Sequence, residues 1–209
     1  MSCEPSGIEL TGVSRSFHSL RVLDSVDLEV RSGERVGLVG ANATGKTTLL
    51  RIVAGTVLPD GGWVLVGGHA AGTLEARRRV GVCFALEGSF FEALSEAENL
   101  VIFARLRLGR RDARHAVCAV VEELELGWLA QREVAGFSAG MRGQLALARA
   151  LIGDPEVLLL DEPTRSLDTG ASERLWQAIE RRPGAAVLFA SHRPEDLDRC
   201  SRRLELGAW

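Results

Sequence analysis

Residues 35–55 read RVGLVGANATGKTTLLRIVAG, and the reading of this stretch decides the fold. RVGLV is an apolar run of strand length, and TTLLRIVAG carries apolar residues at helical spacing, which predicts a helix from about Lys46 to Ala54. Between them Gly40, Gly45, Lys46 and Thr47 satisfy the pattern G-x-x-x-x-G-K-[ST]. Strand, glycine loop, helix is the context that pattern needs in order to bind phosphate. Backbone N–H groups curl around the oxygens, the helix N-terminus adds its partial positive charge, and a lysine ammonium reaches the terminal phosphates. Asn42, Ala43, Thr44, Gly45 and Thr48 complete the cradle, and Thr47 offers a hydroxyl to Mg²⁺.

The chain around this loop alternates strand and helix. Upstream, VDLEV alternates as a half-buried strand and RSGE turns into RVGLV; downstream, GWVLVGG is a further extended stretch after Pro-Asp-Gly-Gly at 59–62. Residues 94–152 change character: EAENLVIFARLRL, DARHAVCAVVEELEL and GMRGQLALARALI are all helical in period. From Pro155 the alternation returns with strand EVLLLDE, helix ASERLWQAIERR, strand AAVLFAS, a short helix at PEDLDRC and a last extended piece RRLEL. Strand followed by helix, repeated, predicts an α/β fold with a mostly parallel sheet. We expect a single domain over 1–209, its nucleotide-binding core at 1–93 and 153–209 and a helical subdomain inserted at 94–152.

Bulk properties narrow the partners. A formal charge of -3 and a pI near 5.9 give no basic field, so a nucleic-acid surface is not expected. Lys46 is the sole lysine against a background of arginine, which makes its place in the loop telling, because a guanidinium does not substitute for a compact ammonium in a tight phosphate cradle. MSCEPSGIEL shows no leader pattern and no apolar run approaches the ~18 residues that span a bilayer, so a soluble chain is expected. Cys3, Cys83, Cys118 and Cys200 fit no metal or redox spacing and read as free thiols of a reducing compartment.

A second constellation sits at VLLLDEP, 157–163. Four apolar residues form a buried strand, and Asp161 stands at its carboxyl end, where open α/β sheets place ligands. Opposite a phosphate loop, that aspartate orients Mg²⁺, and Glu162 is placed to polarise an attacking water as general base.

GANATGKTT, FSAGMRGQLALARAL, VLLLDEPTRSLD and VLFASH, in this order and at these separations, closely resemble the ATP-binding cassette (ABC) ATPases, the motor subunits of ABC transporters. The resemblance covers essentially the whole chain and implies a P-loop NTPase core with an N-terminal antiparallel β subdomain. It implies that FSAGM, 137–141, is the signature motif, whose Ser138 and Gly140 bind the γ-phosphate of ATP held by an opposite subunit. RSLD, 165–168, matches the loop that crosses the dimer interface, with Asp168 its most informative residue. His192 matches the switch histidine that contacts the γ-phosphate, and Phe17 stands where the family carries an aromatic residue against adenine. ATP and Mg²⁺ are the ligands implied. The partners are a second cassette, as homo- or heterodimer, and transmembrane permease subunits, with the chain peripheral on the cytoplasmic face of the cell membrane. Closure around two ATP followed by hydrolysis would drive transport, with exporter-type systems the nearer resemblance. Two other readings stay open: a non-transport ABC ATPase acting on soluble partners, and a slow cassette paired with a better one.

Some positions depart from the pattern. Ala43 replaces a glycine, and if φ is positive there the alanine costs about 1–2 kcal/mol. Ala139 and Met141 replace a Gly and a Gln of the signature without removing the Ser138 donor. The family glutamine that touches Mg²⁺ is missing: Ala85 or Leu86 occupies its place, and Glu87 is the nearest oxygen ligand, read equally well as an ordinary loop acid. Arg77, Arg78 and Arg79 read as a solvated helix end. Phe90 and Phe91 suit either the core or a surface facing the membrane partner.

Overall fold

The computed structural model describes residues 6–84, 90–127 and 132–207. Two sheets form. β1 (Ser6–Phe17), β2 (Leu20–Arg31), β4 (Gly61–Val66) and β5 (His69–Ala70) make an antiparallel sheet in the order β2-β1-β4-β5. β3 (Arg35–Val39), β6 (Val80–Cys83), β7 (Val157–Asp161), β8 (Ala186–Ala190) and β9 (Arg202–Glu205) make a wholly parallel sheet in the order β6-β7-β8-β3-β9.

The parallel strands are apolar on both faces because each face has its own core. In β7, Val157 and Leu159 pack with the antiparallel sheet and α1 (Lys46–Val53), together with Ile8, Leu28, Val36, Leu49 and Leu188. Leu158 and Leu160, on the other face, pack with the helices: Leu100 of α3 (Glu96–Leu108), Val117 of α4 (Ala113–Glu123), Leu145 of α5 (Ala139–Leu151) and Leu175 of α6 (Thr169–Glu180). The two-residue period of a strand thus divides VLLLD between two cores, and a continuous apolar run is the result. The helices of 94–152 share one cluster with β7, β8 and α6.

Local chemistry sets the ends. Ser95 and Glu98 form a capping box at the start of α3, and Asp168 caps α6 by accepting from the Ala171 N–H at 2.8 Å, so α6 begins at Thr169, ahead of the expected ASERLWQAIERR. α4 stops at Glu123, short of the expected LEL, because Glu125 takes a left-handed φ of 56°. Arg77–Arg79 end a short helix, α2 (Leu74–Arg79), with Arg79 paired to Glu156 at 3.2 Å. The two phenylalanines divide: Phe90 packs against the core, edge-on to Phe103 with the Arg149 guanidinium over both rings, while Phe91 stays exposed. Burial pushes the Cys83 thiol up to about 12, and Cys118 and Cys200 are free thiols. Among the described residues no helix is long and apolar enough to cross a membrane.

Candidate nucleotide site

Parallel pairing of β7, β8 and β3 brings their carboxyl ends to one edge, and the candidate residues leave from that edge. β3 runs into the glycine loop, β7 ends at Asp161 and Glu162, and β8 runs through Ser191 to His192.

The loop folds as its composition demands. Gly45, the residue before α1, has φ 91°, and a Cβ there would lie 2.8 Å from both the Val22 carbonyl and the Leu23 side chain, so conformation and space both require glycine. Ala43 has φ 66°, the left-handed geometry that was expected to strain it. Thr44 is buried and its Oγ1 donates to the Ala41 carbonyl at 2.9 Å. Lys46 is buried with its Nζ donating to the carbonyls of Gly40 and Ala41, both at 2.7 Å, so the ammonium draws the two arms of the loop together. Thr47 Oγ1 donates to Asp161 Oδ2 at 2.7 Å, joining the two motifs across 114 residues of sequence.

Glu162 has φ 50°, and its N–H donates to the Ala190 carbonyl at 2.8 Å, which ties the end of β7 to the end of β8. The His192 N–H donates to Glu162 Oε2 at 3.4 Å, and His192 Nε2 lies 3.6 Å from Glu162 Oε1. A non-glycine residue holds such a φ only where its surroundings fix it, and such residues gather at functional sites.

A cavity of about 890 Å³ runs over these groups. Phe17, Leu20 and Val22 give it apolar lining, Lys46, Thr47, Asp161, Glu162 and His192 polar and charged lining, and Asn42, Ala43, Gly45 and Thr48 line it as well. Phe17 is 41% exposed and belongs to this cavity rather than to a core. The Arg15 guanidinium sits 4.7 Å from its ring centroid and is held by Asp60 at 2.5 Å; the Ser16 N–H bond first, and then the Arg15 pair, keep the Asp60 carboxyl below its usual range. Gly40 and Thr44 shape the loop from behind and do not line the cavity. Arg51, Arg165 and Arg193 line it too; Arg165 was expected only as part of the interface stretch RSLD, and Arg51 and Arg193 were not expected here. Arg193 follows directly on the SH stretch, and Arg165 opens the RSLD stretch two residues after DEP.

Ser138, Gly140 and Asp168 are not brought to this cavity. Ser138 caps α5, accepting from the Met141 N–H at 3.3 Å, and a Cβ on Gly140 would lie 2.8 Å from the Ser166 carbonyl, so α5 begins against the RSLD loop. Ala85, Leu86 and Glu87 lie outside the described residues.

No group of three His, Cys, Asp or Glu side chains is placed to hold a metal ion among the described residues. Thr47 with Asp161 fits Mg²⁺ nonetheless, because that ion is held by one or two protein oxygens together with phosphates and waters rather than by an all-protein cage.

A phosphate loop at the carboxyl edge of a parallel sheet, faced by Asp161 and opening on an apolar slot, defines a P-loop nucleotide-binding protein. The family model described as ABC transporter matches residues 23–165. The Nod factor export ATP-binding protein I of Azorhizobium caulinodans is 37% identical over 203 residues, covering 94% of this chain and 63% of that protein. NatA, an ABC transporter ATP-binding protein of Bacillus subtilis, is 37% identical over 202 residues, covering 91% of this chain and 81% of the relative. The sulfate/thiosulfate import ATP-binding protein CysA of Pseudomonas aeruginosa is 36% identical over 198 residues, covering 90% of this chain and 60% of its own length. The chain belongs to the ABC transporter family, as one of its ATP-binding cassette ATPases. A solved dimeric cassette in a post-hydrolysis state, bound to ADP and Pi, superposes with a TM-score of 0.88 at 22% identity over 96% of this chain and 94% of that one, which is a likeness of fold.

Proposed function

We propose that the chain is the motor subunit of an ABC transporter, in which two cassettes close around two Mg-ATP and hydrolysis reopens them, driving separate membrane-spanning permease subunits from the cytoplasmic face. The observation that carries this reading is the meeting of Lys46, Thr47, Asp161, Glu162 and His192 in one cavity, with Thr47 and Asp161 in contact at 2.7 Å. Core 1–93 and 153–209 holds this site, and the helical segment 94–152 carries the signature.

Phe17 with Leu20 and Val22 receives the adenine, and the loop N–H groups with Lys46 take the phosphates. For the ammonium this exchanges two carbonyl acceptors for charged phosphate oxygens, the stronger partners. Thr47 and Asp161 would hold Mg²⁺, which when bound supplies positive charge to the phosphate oxygens. Glu162 accepts the proton of the attacking water, and His192, within 3.6 Å of it, orients the base and meets the γ-phosphate. Ser138, Gly140 and Asp168 have no place in their own cavity, which suits action on the nucleotide of a second subunit: the N-terminus of α5, with its Ser138 cap, is an anion site awaiting a ligand in trans.

Export is the direction we favour, on the Nod factor export relatives. A sulfate/thiosulfate import protein is as similar, so the ATP chemistry of the cassette is common to both directions and the permease sets the cargo. The test is hydrolysis. Glu162→Gln should bind ATP like wild type, slow turnover by about 10²-fold or more and elute as a dimer with Mg-ATP, and Lys46→Ala should not turn over ATP. Wild-type turnover in either variant would overturn the assignment.

A further inference from the structure

Asp196, in the short helix α7 (Pro194–Leu197), is 2% exposed and accepts three side-chain hydrogen bonds. Oδ2 accepts from Thr164 Oγ1 at 2.6 Å and from Ser191 Oγ at 2.7 Å; Oδ1 accepts from Trp176 Nε1 at 3.0 Å. The donors come from separate segments. Thr164 stands two residues after Glu162, Ser191 directly precedes His192, and Trp176 belongs to α6. Thr164 and Ser191 are buried as well. A second tie runs beside the first: Arg193 donates through Nη1 to the Thr164 carbonyl at 3.0 Å and through its backbone N–H to Ser191 Oγ at 3.1 Å.

We infer that Asp196 is a positioning residue for ATP hydrolysis, holding the Glu162 and His192 loops at one fixed separation through Thr164 and Ser191; this rests on the roles given above to Glu162 and His192. Beyond Asp161 the ladder between β7 and β8 is continued, among the described residues, by the backbone bond from the Glu162 N–H to the Ala190 carbonyl. The Asp196 carboxyl then joins the loops again on their far side, so Glu162 keeps its left-handed φ between two anchors. Stability alone does not call for this arrangement, since an apolar trio of the same volume packs as well as a buried polar one. Directional bonds differ in fixing orientation, and a base and its partner need placement to about half an ångström. Trp176 adds a report, because its indole N–H is one of the three donors and its ring packs edge-on to Phe189 of β8 at 5.3 Å.

The experiment compares kcat and KM for Mg-ATP, affinity for fluorescent ADP and Trp emission in the full chain. Asp196→Asn should lower kcat at least tenfold per nucleotide-binding site while KM and ADP affinity stay within twofold and Trp emission shifts. The double variant Thr164→Val with Ser191→Ala should reproduce the kcat loss, and adding Asp196→Asn to it should cost less than twofold more. A purely structural role would instead lower the number of ADP-binding sites and leave kcat per site unchanged. Should Asp196→Asn not fold, Ser191→Ala, which removes one bond, is expected to lower kcat several-fold at constant KM. Wild-type kcat in folded Asp196→Asn, or in Ser191→Ala, overturns the inference alone. Absence of ATP turnover in the wild-type chain, or full turnover in Glu162→Gln, overturns the functional reading on which it rests and the inference with it.

Discussion

Glu96 offers a measurement of how the fold treats a charge it cannot pair. It is the first residue of α3, is fully buried, and neither of its carboxyl oxygens has a hydrogen-bond partner. Burial disfavours the charged form and lifts its pKa from 4.5 to about 7. The sign follows from proton counting. Below pH 4.5 the group is protonated folded and unfolded, and it contributes nothing to the pH dependence. Between 4.5 and 7 the folded chain holds a proton that the unfolded chain releases, so stability falls as pH rises, and above 7 the loss is complete. At 1.36 kcal/mol per pH unit that interval is worth at most about 3 kcal/mol. The positive N-terminal end of α3 favours the charged form, and discounting by half leaves about 1–2 kcal/mol. Glu96→Gln removes the titration and keeps the shape. Its stability relative to wild type should therefore rise by about 1–2 kcal/mol between pH 4.5 and pH 8, or about 2–8 °C in Tm for a chain of this size. Thermal unfolding of both proteins across that range reads the difference directly. Parallel Tm curves would refute the reasoning, since a constant offset reflects only the exchange of one polar group for another.

Other expectations concern the site. Phe17→Ala should weaken nucleotide binding about five- to a hundredfold, the equivalent of about 1–3 kcal/mol of base stacking, and Phe17→Trp should restore it; titration with fluorescent ADP reads both, and unchanged affinity in the alanine variant would remove Phe17 from the site. Ala43→Gly should relieve about 1–2 kcal/mol of left-handed strain against about 0.5–1 kcal/mol of added chain freedom, raising Tm by about 2 °C; a lowered Tm would contradict the φ of 66°. Ser138→Ala should cost about 1 kcal/mol through the lost cap of α5 and reduce Mg-ATP-dependent dimerisation while leaving ADP affinity unchanged, because Ser138 is outside its own cavity; weakened ADP binding in the monomer would argue against action in trans. Chromatography with Mg-ATP distinguishes the two.

The composition of this chain made much of the architecture legible. GANATGKTT is readable because each residue type answers a local need: Gly45 needs its φ, Lys46 needs acceptors within reach, and both needs are met within the loop itself. VLLLD is readable as a buried strand because every side chain in it is apolar, although which core each one enters depends on what lies on either face. The end of α4 at Glu123 and the start of α6 at Thr169 were less legible, since each turns on a cap or a single left-handed residue rather than on the period of the helix. Phe17 was placed only by its position in the pattern, and that Leu20 and Val22 of β2 and the loop line one cavity with it depends on the tertiary structure.

Sequence alone determined the residue types of the site and the alternation of strand and helix, because motif and period are properties of neighbours along the chain. Tertiary structure decided what meets what. The 2.7 Å bond between Thr47 and Asp161, the three cavity arginines and the Asp196 junction of Thr164, Trp176 and Ser191 all join segments that sequence holds apart. The physical reason is the parallel sheet: by placing the carboxyl ends of β3, β7 and β8 side by side, it turns three distant turns into one site, and no local pattern records which side chains then touch.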